Sequence, residues 1–183
     1  AIMGLLPRET TRVSGSILLD GIELVGASEK IMRTTRGKAA SMIFQEPMMS
    51  LNPVLKVSTQ IKEMLRQHTS MSDADAEREG IRLFDKVRIP DAARRFHDYP
   101  HMFSGGMRQR IMIAIALSCS PKLLIADEPT TALDVTIQAQ ILDLLNEVQK
   151  DTGTAILFIT HDMGVVANIA DRVMVMRGGK TVE

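Results

Sequence analysis

Leu123-Leu124-Ile125-Ala126-Asp127-Glu128-Pro129 is the stretch whose reading decides the fold. Four apolar residues without alternation read as a strand buried on both faces, and an acidic pair stands at its carboxyl end. Downstream, Ile137, Ile141, Leu144, Leu145 and Val148 recur at helical spacing, and Ala155-Ile156-Leu157-Phe158-Ile159 is a second continuous run. Val165, Val166 and Ile169 suggest a short helix, and Val173-Met174-Val175-Met176 a third run. Continuous apolar strands alternating with amphipathic helices predict an α/β protein with a parallel sheet covered on both faces.

Upstream, the pattern changes twice. Residues 57–119 read as helical: Val57, Ile61, Met64 and Leu65 share one face, Ser72 and Asp75 form a helix start before Ile81, Phe84 and Val87, and a third helix opens near Ser104 with Ile111, Ala114, Ile115 and Leu117 inside. Residues 1–56 read as strand-rich, with a hairpin signal at Asp20-Gly21 and a strand at Ala40–Gln45. The expected organisation is therefore one domain in three stretches: 1–56 β-rich, 57–119 helical and 120–183 an α/β core.

Bulk properties exclude several classes. The 183 residues are 45% apolar and 24% charged, the profile of a globular domain. Lys and Arg number 22 and so do Asp and Glu, so a net charge of zero supports neither a nucleic-acid binder nor electrostatic attachment to anionic lipid. One cysteine, Cys119, allows no intrachain disulfide and reads as buried packing in a reduced, cytosolic protein. No apolar run reaches membrane-spanning length. Ala1–Pro7 is apolar but too short, and lacks the basic start, for a signal peptide; the chain does not begin with Met and is expected to open in mid-element. Thirteen methionines against five phenylalanines suggest that Met fills the core.

Four features carry chemistry. Asp127 and Glu128 follow a buried strand and point to different sides of it, so one can hold a magnesium ion while the other orients or deprotonates a water; the alternative is that the pair merely caps the next helix. Ser104-Gly105-Gly106 at a helix start exposes backbone N–H groups suited to a phosphate, or is an ordinary serine cap after a turn. His161 lies past the second strand, at the same sheet edge as the acidic pair, where an imidazole could meet a terminal phosphate, or it is a structural histidine. Gln45, past the Met42–Phe44 run, could orient a water or complete a magnesium shell.

In this order, the four features resemble the ABC ATPase family. Gln45 matches the Q-loop glutamine, and Ser104 through Gln109 the family's signature sequence. Leu123–Asp127 matches Walker B with Glu128 as catalytic glutamate, Ala132-Leu133-Asp134 the D-loop, and His161 the switch histidine. Phe44-Gln45-Glu46-Pro47, Ser50-Leu51-Asn52-Pro53, Tyr99-Pro100-His101 and Pro129–Thr136 are similar to the dipeptide, oligopeptide and glutathione importers of that family. Met49 and Met102-Phe103 depart from the group's usual residues without removing a catalytic group.

The resemblance implies a P-loop NTPase (RecA-like) parallel-sheet core, an ABC antiparallel β portion and an inserted helical subdomain. It also implies ATP and Mg2+ as ligands. Two copies would close head to tail on two ATP molecules. Asp127, Glu128, Gln45 and His161 of one copy would face Ser104, Gly105 and Gly106 of the other, with Gln109 and Asp134 completing the nucleotide-contacting set and Asp127 and Gln45 the metal set. The implied partners are a second ATPase subunit, membrane permease subunits met by residues 57–119 and, indirectly, an external solute-binding protein. The implied place is the cytoplasmic face of the bacterial inner membrane.

One part of the family pattern is missing. No Gly-x-x-x-x-Gly-Lys-Ser/Thr occurs: Gly37-Lys38 is followed by Ala39, and Gly179-Lys180-Thr181 has Met174 where the first glycine belongs and reads as a β-turn. Ala1–Pro7 is expected to be the tail of the helix that follows the P-loop, so the fold is expected to be incomplete at its N-terminus, without the strand beside the Walker B strand. Two other readings stand: a non-transport ABC ATPase, and a catalytically dead fragment that acts only through partners.

Overall fold

The structure is a computed structural model that describes residues 1–7, 9–45, 51–131 and 133–183. Glu46, Pro47, Met49 and Ser50 of the Q-loop pattern, and Ala132 of the D-loop, lie outside the described residues.

The centre is a three-stranded parallel sheet, β3 (Ala40–Ile43), β4 (Leu123–Asp127) and β5 (Ala155–Ile159), in the order β3-β4-β5. Ile43 pairs with Ala126, and Asp127 with Ile159, so the three strands end almost level. β4 reads as a continuous apolar run because Leu124, Ile125 and Ala126 are buried. Both its edges are occupied. The P-loop strand expected beside it therefore has no place there, and the open edges among the described residues are those of β3 and β5. β5 also departs from expectation in its cover: Ile156 and Phe158 pack on the core, while Leu157 and Ile159 are exposed.

Ahead of the sheet, β1 (Leu18–Leu19) and β2 (Ile22–Glu23) form the expected hairpin, with Asp20 and Gly21 both at positive φ in the turn. The Glu23 carboxylate accepts from the Ser16 hydroxyl and from the Ile17 and Val25 amides, which holds its pKa down at about 2. The strand-rich reading of this region missed α1 (Glu29–Thr35), capped by Ser28, whose inner side is only Met32 and Thr35. Ala1–Pro7 is not helical either: a turn closes from the Gly4 amide to the Ala1 carbonyl.

The helical stretch comprises α2 (Val57–His68), α3 (Asp73–Lys86) with Ser72 accepting from the Asp75 amide, and the short α4 (Ala92–Arg95). A 3-10 turn, Pro100–Met102, leads to α5 (Gly105–Leu117). α5 is buried on nearly every side, as a helix apolar all round must be. Its core joins the sheet to α2 and α3 through Ile61, Phe84, Phe96, Ile111, Leu124 and Leu144. Phe84 meets Phe96 and Phe103 edge-on, with ring centroids 5.3 and 6.2 Å apart. Each such pair contributes about 0.5–1.5 kcal/mol beyond area burial.

α6 (Val135–Thr152) covers the sheet with Ile141, Leu144, Leu145 and Val148, and ends at Gly153 in the left-handed region. α7 (Met163–Ile169) follows β5. The third apolar run is not part of the parallel sheet. Only Met176–Arg177 (β6) is strand, paired antiparallel with Lys180–Thr181 (β7) around Gly178 and Gly179, and Val173 to Met176 are exposed. Methionine does not chiefly fill the core: Met32 and Met112 are buried, whereas Met71, Met102, Met163, Met174 and Met176 are exposed.

Gly80 on α3 is the tightest seam in this packing. A Cβ there would lie 2.3 Å from the Phe96 ring. Helix propensity favours alanine over glycine by about 1 kcal/mol, and overpacking a filled core costs about 1–3 kcal/mol. Gly80→Ala is expected to be net destabilising and to lower the urea midpoint; an unchanged or raised midpoint would show that the seam yields.

Candidate active site

The level ends of three parallel strands set the site. Past β3 stands Gln45, at the end of β4 stand Asp127 and Glu128, and past β5 stands His161. The Glu128 amide donates to the Ile159 carbonyl at 2.9 Å, which extends the β4–β5 ladder by one bond beyond the strand. Glu128 itself lies at φ +45, a region non-glycine residues seldom occupy, and the chain leaves the sheet there.

This kink places the Glu128 carboxylate among three partners. Gln45 Nε2 donates to Oε2 at 3.0 Å, Thr131 Oγ1 donates to Oε2 at 2.9 Å, and His161 Nδ1 lies 3.0 Å from Oε1. The Glu128 side chain is 24% exposed and that of His161 77%. The hydrogen bond from His161, then that from Thr131, holds the carboxyl below its ordinary value of 4.5, with a smaller effect from Gln45 and burial opposing. Glu128 is thus held ionised, as an acceptor with three donors already on it.

Asp127 is half-buried beside it, and none of the described residues hydrogen-bonds its carboxylate. Among the described residues no group of three or more His, Cys, Asp or Glu is arranged to hold a metal ion. Asp162, next to His161, is committed elsewhere: it caps α7, accepting from the Gly164 and Val165 amides, and accepts from Gln138 Nε2 on α6. Those bonds, the Gly164 amide first, lower its pKa.

A second cluster lies at the start of α5. Ser104 caps the helix, its Oγ accepting from the Met107 amide at 3.3 Å. Space beside Gly105 is open, with nothing within 4 Å of a Cβ built there, whereas a Cβ on Gly106 would come within 2.9 Å of Ile137. Gln109 is 2% exposed and its Nε2 donates to the Pro129 carbonyl at 2.5 Å. Asp134 is exposed and caps α6 through the Ile137 amide at 2.9 Å.

A family model described as "ABC transporter" matches residues 1–131. The chain belongs to the ABC transporter family. It is 55% identical over 183 residues to the oligopeptide transport ATP-binding protein OppD of Salmonella typhimurium, covering all of this chain and 54% of that protein. It is 59% identical over 162 residues to the glutathione import ATP-binding protein GsiA of Pectobacterium atrosepticum, covering 88% of this chain and 26% of that one. The chain thus spans about half the length, or less, of the curated relatives it matches. Its fold is that of a dimeric post-hydrolysis ATP-binding cassette bound to ADP and Pi, at TM-score 0.82 and 24% identity, covering 93% of this chain and 72% of that one.

Against this ABC frame, the expected residues fall into two groups. Gln45, Glu128 and His161 converge on one carboxylate, and Asp127 adjoins them. Ser104, Gly105 and Gly106 form a separate turn, and no hydrogen bond among the described residues joins them to Glu128. Asp134 and Gln109 are occupied within the fold. Gln109 is enclosed and reaches the turn after β4, so any influence on a nucleotide would pass through that turn. Thr131 went unassigned in the sequence reading. Its only signal there is its place three residues past Glu128, where a threonine hydroxyl can reach back.

Because its folded pKa is lowered, the Glu128 carboxylate's bonds contribute stability above about pH 4.5 that is lost as pH falls through the folded value. Carboxyl NMR is expected to show Glu128 titrating below 4.5, and His161→Ala to move the midpoint upward. No change in His161→Ala would remove the imidazole as the main cause.

Proposed function

We propose that the complete protein is the ATP-hydrolysing subunit of an ABC transporter that imports peptides across the bacterial inner membrane. This chain would supply its catalytic carboxylate, glutamine and histidine. The carrying observation is the Glu128 carboxylate held between Gln45, Thr131 and His161 at the level ends of β3, β4 and β5. Such a place, just past the carboxyl ends of parallel strands, is where open α/β sheets bind ligands.

Asp127 and Gln45 fit a magnesium ion: a free half-buried carboxylate and a nearby amide suit a cation that takes one or two protein ligands and fills the rest with water and phosphate oxygens. Bound there, Mg2+ would neutralise charge developing on the transferred phosphoryl group. The chain's own residues would do the remainder. Glu128, held ionised, accepts a hydrogen bond from the attacking water and aligns it. A carboxylate held below its ordinary pKa is a weak proton acceptor, so orientation is its main contribution, with proton uptake late. His161, released from Glu128, can donate to the terminal phosphate, and Gln45 can shift from the carboxylate to water or cation.

No hydrogen bond among the described residues joins the Ser104–Gly106 turn to Glu128, and the proposed arrangement is a head-to-tail pair in which each copy's turn completes the other's site. The solved cassette of the same fold is dimeric with ADP and Pi. Val135, 82% exposed, and Met163, 70% exposed, start α6 and α7 beside the site and supply apolar surface for such a closure. Among the described residues no helix is long and apolar enough to cross a membrane. Coupling to transport would run through permease subunits docked on α2 and α3. Peptide as the transported solute rests on the likeness to the OppD and GsiA proteins.

In the complete protein, Glu128→Gln is expected to cut turnover by roughly 10²-fold or more while ATP binding persists, since it removes an interaction used in the transition state. Steady-state hydrolysis beside nucleotide-binding titration checks this; retained turnover would reassign the role. Residues 1–183 contain no P-loop, whose backbone and lysine cradle the phosphates. The 183-residue chain by itself is therefore expected to show no magnesium-dependent hydrolysis above its Glu128→Gln control, and activity above that control would refute the expectation.

A further inference from the structure

We propose that Gln109 is a positioning residue that locks the Ser104–Gly106 turn to the segment carrying Glu128, so that groups serving two different nucleotide sites move as one body. The proposal rests on the head-to-tail reading above.

The argument begins with where α5 spends its polar side chains. Between Gln109 and Leu117 the buried residues are apolar except Gln109 and Arg110. A buried amide is unfavourable unless it is hydrogen-bonded, so its partner shows what it is for. Arg110 donates to the Val87 carbonyl at the end of α3 and to Gln140 Oε1 on α6, which are scaffold contacts. Gln109 instead donates to the Pro129 carbonyl, on the residue immediately after Glu128.

That carbonyl sits where backbone orientation controls the site. Glu128 is at φ +45, and such a conformation persists only where its surroundings fix it. The contacts that do so are the Glu128 amide on Ile159, the Thr131 amide on the Glu128 carbonyl, the donors on its carboxylate, and the Gln109 amide on Pro129. Only the last comes from α5. A second fastening lies one helical turn earlier, where Gly106 lets Ile137 approach so closely that a Cβ would collide. The first two turns of α5 are thus fixed to the segment from Pro129 to Ile137 at both ends. A shift of the Ser104 turn on meeting a partner's nucleotide would be carried to Glu128 of its own chain through the amide. The coupling is through contiguous contacts, and its sign is the same in both directions.

The test compares Gln109→Met with Ile113→Val, a core change on the same helix away from the turn, in the full-length ATPase. Gln109→Asn, which keeps the amide but withdraws it by one methylene, serves if the methionine variant does not fold. Loss of the bond is expected to raise hydrogen exchange of the Glu128 and Thr131 amides roughly 10-fold, because their bonds to the Ile159 and Glu128 carbonyls loosen. It is also expected to lower kcat by roughly 10-fold with little change in KM for ATP. Ile113→Val should lower the melting temperature and leave both readings in place. Unchanged exchange of the Glu128 and Thr131 amides in the Gln109 variants, or an equal rise in Ile113→Val, overturns the proposal. Should Glu128→Gln in the otherwise unchanged protein leave turnover intact, the catalytic role of Glu128 is reassigned, and amide exchange alone then decides whether Gln109 positions the turn.

Discussion

Parallel pairing of β4 between β3 and β5, with the three strands ending level, is the constraint from which the site follows. Strands 4.7–4.9 Å apart that stop at the same height deliver their next residues to one small area of the sheet's rim. Gln45, Glu128 and His161 need no long-range device to meet; the register Ile43–Ala126 and Asp127–Ile159 is enough. The register in turn depends on which faces are buried. A slip of one residue would turn Leu124 and Ala126 outward and send the acidic pair to the wrong height.

The carboxylate at that rim is held by three donors at once. All three neighbours donate to it, and the resulting low pKa favours a charged acceptor over a base. Anything that recruits His161 or Gln45 elsewhere raises the proton affinity of Glu128 at the same moment. In the proposed ATPase, occupancy of the site and activation of its carboxylate would therefore be linked through hydrogen bonds already present.

Much of this was legible in the sequence because the signals are local. Continuous apolar runs marked β4 and β5, the serine caps at Ser72 and Ser104 marked α3 and α5, and Asp20-Gly21 marked a hairpin. Gln45 and His161 were legible because each stands two residues past a strand. What escaped depended on contacts distant in sequence or on very short elements. α1 has two buried residues in seven and so little periodicity. The role of Thr131 depends on the kink at Glu128, and that of Gln109 on a partner twenty residues away. The run Val173–Met176 looked like a core strand because apolar composition does not say what lies opposite. Burial is decided by neighbours, and among the described residues that run has almost none.

β5 has a practical bearing of its own. It presents Leu157 and Ile159 to solvent on one face, and its far edge carries a row of main-chain donors and acceptors with no strand beyond it among the described residues. Edges of this kind template the addition of any extended segment, including one from another molecule of the same sequence. Handled at high concentration, these 183 residues would tend to stack laterally into insoluble material. A polar substitution at Leu157 or Ile159 is the natural remedy, since neither side chain belongs to the buried core.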